Sequence, residues 1–115
     1  MNFRSRGNSF KYALRGIAQV FKQEPNARIH FAVTAIVLIA GIIKGISPMQ
    51  WVAICIVIAL VWVCEAFNTA IELLCDMYCD HKYHPTVKVI KDIASGAVLI
   101  ASVLSVIVGL IVFLF

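Results

Sequence analysis

The sequence predicts an all-α membrane protein: a single domain over residues 1–115, with an N-terminal amphipathic surface helix followed by three transmembrane helices. Three observations carry that prediction. Hydrophobic residues make up 62 % of the 115 positions and the mean hydropathy is strongly positive, against the ~45–50 % of ordinary soluble domains. The apolar residues gather in three long runs separated by short turns bearing Pro or Gly. The basic residues are distributed unevenly around those runs, which is how membrane spans are oriented.

Residues 9–23 read as an interfacial helix. Phe10, Leu14, Ile17 and Phe21 make an apolar stripe, and Lys11, Arg15, Gln19 and Lys22 a polar one. A basic amphipathic helix of this kind lies in the membrane surface with its cations at anionic headgroups. Glu24-Pro25-Asn26 breaks the pattern. Proline suits a helix's first turn and disfavours helix before it, so Glu24 is expected as an N-cap or hinge at the water boundary. Residues 27–43 form the first span, and Gly45-Ile46-Ser47-Pro48 the external turn. The second span covers 49–74, with Trp51 as an interfacial anchor. Residues 80–85 form a polar loop, and 87–115 the third span. Its opening turns put Lys88, Lys91, Asp92 and Ser95 on one face. Ala94, Gly96 and Ala97 are small enough for close helix approach, and three spans alone bury little, so a homo-oligomer is expected.

Of the ten Lys and Arg residues, Arg4, Arg6, Lys11, Arg15, Lys22 and Arg28 precede the first span. Lys82, Lys88 and Lys91 lie between the second and third spans, and Lys44 alone lies between the first and second. The positive-inside rule makes the N-terminus cytosolic and the C-terminus external. The N-terminal segment has no adjoining apolar h-region or cleavage site, so insertion is expected to rely on the spans. Cys55, Cys64, Cys75 and Cys79 fall within a span or at a cytosolic edge, where disulfides are not expected. The Cys75, Cys79, His81, His84 spacing matches no common zinc pattern. Nothing marks a nucleic-acid interface.

The second span's cytosolic half carries the chemistry. At about 100° per residue, Glu65, Asn68, Glu72 and Asp76 share a stripe roughly 80° wide. An ionised carboxylate at bilayer depth costs at least about 2.5 kcal/mol, so the stripe requires a cation or a ligand that brings one. Carboxylates from different helices, joined by Glu24, suit Mg²⁺ bound together with phosphate oxygens. A further carboxylate can take a proton from an attacking hydroxyl, and a lysine can neutralise phosphate charge. No Walker or kinase-type glycine loop is present. Two other readings remain open on these residues alone: a small proton- or cation-coupled transporter using Glu65 and Glu72, and a polar stripe that specifies helix association.

Glu65-Ala-Phe-Asn-Thr-Ala-Ile-Glu72-Leu-Leu-Cys-Asp76, followed by Lys91-Asp92-Ile-Ala-Ser-Gly-Ala, closely resembles the prokaryotic diacylglycerol kinase family, which includes undecaprenol kinases. The resemblance covers nearly the whole chain. It implies a homotrimer, with sites between subunits, in the bacterial cytoplasmic membrane, transferring the γ-phosphate of ATP to a lipid alcohol with Mg²⁺. By position, Glu65 resembles the general base and a substrate contact, Glu24 and Glu72 the metal-binding pair, and Asn68 a positioning group at the nucleotide. Lys91 and Asp92 resemble the nucleotide-contacting pair, Tyr83-His84 and Tyr12 further nucleotide contacts, and Ser95 a lipid contact. Arg4 and Arg6 flank the place of a nucleotide-contacting arginine. The segment Glu24-Pro25-Asn26-Ala27-Arg28-Ile29-His30 resembles the undecaprenol kinase branch, whereas the other branch tends to a carboxylate at position 30. The loop before Lys91 is one residue longer than in the diacylglycerol enzymes.

Overall fold

Three of the four helices start on a proline. The computed structural model describes residues 3–115, with side chains from Arg6 onward, so the Arg4 side chain lies outside the described residues. It contains α1 (Phe3–Gln23), α2 (Pro25–Lys44), α3 (Pro48–Cys79) and α4 (Pro85–Leu114), with no strand among the described residues. Pro25, Pro48 and Pro85 occupy first-turn positions, where a missing N–H leaves no bond unmade. The helices α2, α3 and α4 are each long and apolar enough to cross a membrane.

Local chemistry fixes the boundaries. Ser47 and Gln50 close a capping box at the start of α3, with bonds of 3.2 and 2.9 Å. The left-handed Gly45, at φ 72°, ends α2. The end of α3 lies five residues beyond the 49–74 expectation. Asp76 interrupts the apolar run there, so hydropathy does not mark the end, and the stop comes from left-handed Asp80 and His81, whose amides both return to the Asp76 carbonyl. The α1 helix likewise begins ahead of residue 9, since nothing before Ser9 breaks a helix and Gly7 costs only about 1 kcal/mol.

The dominant packing is α3 on α4. The buried residues of α4 include Val87, Ala94 and Ala101, seven apart, whose small side chains admit close approach. Along α3 the buried stripe runs Ile54, Val57, Val61 and then Glu65, Asn68, Cys75. One seam therefore changes from apolar to polar halfway along the helix. At its apolar end Ile46, Ile54 and Val112 form a core flanked by Val37, Trp51 and Phe113. Trp51, expected as an interfacial anchor, lays its ring on Gly41. A Cβ there would stand 2.7 Å from the indole, so only glycine fits.

At the same end the Lys44 ammonium donates to the carbonyls of Val112 (3.1 Å) and Phe113 (2.7 Å), satisfying orphan acceptors at the C-terminus of α4. The C-termini of α2 and α4 thus lie together, and Glu24 lies at the opposite end of α2, about 30 Å away by helical rise.

Candidate active site

The carboxylate cluster is assembled by two segments. Glu65 comes from α3 with 2 % of its surface exposed, and its Oε1 is hydrogen-bonded with His30 Nε2 of α2 at 3.2 Å. Its Oε2 is buried and has no hydrogen-bond partner among the described residues. One turn on, Asn68 Nδ2 donates to Glu72 Oε1 at 3.2 Å, and Asn68 Oδ1 is likewise buried without a partner. The Thr69 hydroxyl donates to the Glu65 carbonyl, which spends its polar atom within the helix.

Glu24 completes the group. It is the N-cap of α2, yet its side chain closes no capping hydrogen bond. It is buried, and desolvation first, then the charges of Glu65 and Glu72, push its carboxyl above the ordinary value of 4.5. The nearby Asn26 amide and His30 pull weakly the other way. Three carboxylates therefore share one field with His30 as the nearest potential cation.

The other end of the stripe is differently used. Asp76 is ion-paired with Lys91 across the α3–α4 turn, and His81 Nδ1 stands 3.8 Å from its second oxygen. Asp92 pairs with Lys88 at 2.7 Å along α4, with both side chains exposed. Lys91 and Asp92 therefore hold different side-chain partners. An open cleft of about 420 Å³ is lined by Asp76, His81, Lys82, Tyr83, His84, Lys88 and Lys91. Tyr83 is exposed, and His84 caps α4 by accepting from the Thr86 and Val87 amides at Nδ1. Tyr12 on α1 stacks beneath the Arg15 guanidinium at 5.6 Å, and Ser95 is exposed on α4. Neither is hydrogen-bonded to the carboxylates among the described residues.

Residues 11–113 match the prokaryotic diacylglycerol kinase family. The chain belongs to that family. An undecaprenol kinase of Bacillus subtilis (strain 168) is 41 % identical over 106 residues, covering 92 % of this chain and 85 % of its own. A diacylglycerol kinase of Synechocystis sp. is 35 % identical over 101 residues, covering 88 % of this chain and 58 % of its own. No solved structure matches.

For a member of the prokaryotic diacylglycerol kinase family, a family of lipid kinases, the donor set is informative. Among the described residues no group of three or more His, Cys, Asp or Glu side chains could hold a metal, so the Cys75, Cys79, His81, His84 set forms no such site. Two carboxylates beside unpartnered buried oxygens instead suit a hard cation that takes part of its shell from phosphate. His30 is the contact that sequence reasoning missed. Its signal was present: it is the one titratable side chain between Arg28 and Lys44 in an otherwise apolar helix.

Proposed function

We propose that this family member is an ATP- and Mg²⁺-dependent kinase of a membrane lipid alcohol, with undecaprenol favoured over diacylglycerol, working at the cytosolic face of the bacterial cytoplasmic membrane. The observation that carries the reading is the group of buried Glu24 and Glu65 with half-buried Glu72, in which Glu65 Oε2 has no partner among the described residues. The preference for undecaprenol is supported by the 24–30 segment and by the Bacillus relative. The cytosolic placement is supported by the basic residues around α1 and the 80–84 loop. The apolar row Phe10, Leu14, Ile17, exposed on α1, supports its lying in the membrane surface.

Glu65 Oε2 accepts the proton of the lipid hydroxyl as that oxygen attacks the γ-phosphorus and the bond to the bridging β–γ oxygen breaks, releasing ADP. Glu24 and Glu72 hold the metal, which neutralises phosphate charge when bound. Asn68 orients the phosphates through the Nδ2 hydrogen not given to Glu72. Lys91 reaches them by exchanging Asp76 for a phosphate oxygen, and Tyr83, His84, Asp92 and Tyr12 border the nucleotide. Ser95 contacts the lipid. The protein positions and neutralises, and forms no phosphoenzyme.

The test is transfer of labelled phosphate from ATP in mixed micelles with both alcohols offered together. Undecaprenyl phosphate should predominate, and Glu65→Gln should lower turnover by roughly 10²–10⁴-fold. No labelled lipid from either alcohol would reject the kinase, predominance of phosphatidate would reverse the acceptor, and an active Glu65→Gln would remove the base.

A further inference from the structure

We propose that His30 is the positioning residue for Glu65, holding Oε1 so that Oε2 alone faces the acceptor hydroxyl. The proposal rests on the reading of Glu65 as the base. An ionised carboxylate only accepts, so His30 must carry its proton on Nε2. The two side chains are 22 % and 3 % exposed, so water does not compete freely for the bond.

The imidazole is itself held. The Trp62 ring, one turn before Glu65 on α3, meets it edge-on with centroids 6.3 Å apart. The Trp62 indole donates to the Thr34 hydroxyl at 3.2 Å, and that hydroxyl donates to the His30 carbonyl at 2.7 Å. Two elements thus fix the ring that fixes the carboxylate. The charged groups sharing its surroundings are Glu24 at the head of α2 and Glu72 on α3. Glu72 takes its bond from Asn68 and Glu24 makes no side-chain cap. Of these three carboxylates, only Glu65 is joined to an imidazole among the described residues, so His30 distinguishes one of them and one of its two oxygens.

The experiment compares wild type, His30→Ala, His30→Gln, Glu65→Gln and His30→Ala/Glu65→Gln. It measures kcat, KM for Mg·ATP, and thermal stabilisation by a Mg·ATP analogue in detergent. His30→Ala should lower kcat about 10–100-fold with KM for Mg·ATP unchanged, because a misplaced base loses the transition state without losing the nucleotide. His30→Gln keeps an N–H and should recover most of the loss. In the Glu65→Gln background, His30→Ala should lower residual turnover no further. A wild-type kcat in His30→Ala overturns the assignment. So does a Gln variant no better than Ala, an equal further loss in the double variant, or loss of analogue stabilisation in His30→Ala. If Glu65→Gln stays active, the base assignment itself fails. If Glu65→Gln is inactive and His30→Ala is not, only His30 fails.

Discussion

A carboxylate at a helix N-cap ordinarily accepts from the amides two or three residues on, whereas Glu24 closes no such cap and feels only a minor pull from the Asn26 amide. Burial and the charges of Glu65 and Glu72 favour its protonated form instead. The sign follows from linkage. Between 4.5 and the raised value, the folded protein binds more protons than the unfolded chain, so this residue's contribution to stability falls as pH rises through that window. The detergent-solubilised protein without divalent ions should therefore lose thermal stability as pH rises above 4.5 through the raised value. Glu24→Gln should flatten that slope and raise the neutral-pH Tm, whereas Mg²⁺ should stabilise wild type more than the variant. An unchanged slope in Glu24→Gln would take this residue out of the shared field.

Among the elements, α4 depends on a side chain from α2. Lys44→Met removes two charge-assisted hydrogen bonds and a cation at a helix C-terminus, and should cost about 1–2 kcal/mol in a reversible denaturant titration. Turnover at a permissive temperature should not change, because the carboxylates lie at the other end of α2. A large loss of activity without loss of stability would contradict that separation. The same scale shows what sequence could and could not reveal. Pro25 and Pro85 were legible as first-turn prolines, Pro48 was assigned to the external turn although it opens α3, and a 3.6-residue period announced the Glu65–Asp76 stripe. Partner choice was not legible. Whether Lys91 meets Asp76 or Asp92, and whether Glu65 meets His30, depends on how far each helix is rotated in the packed structure. His84 illustrates the limit: a residue type shared by ligands and caps was readable as either until the Thr86 and Val87 amides were seen to point at it.

As a whole the chain is a slab of 49 × 42 × 21 Å, one to two helices thick, with most of the apolar surface of α2 and α4 uncovered. Lipid can cover such surface, yet Ser95, Tyr83 and Asp92 are exposed too. In the trimer that the family resemblance implies, a neighbouring subunit would bring its own residues to these positions. Gly96 offers a clean probe, since a Cβ built there meets nothing within 4 Å in the single chain. Gly96→Leu should keep helix content while shifting cross-linked trimer to monomer and abolishing transfer. Intact, active trimers in that variant would place the contact on another face.

The α3 seam, greasy from Ile54 to Val61 and acidic from Glu65, has one further consequence. A single residue inserted between those halves would leave the first half docked and swing every carboxylate about 100° around the axis. The register of the α3 carboxylates is thus inherited from the same winding that seats the helix, and neither can drift without the other.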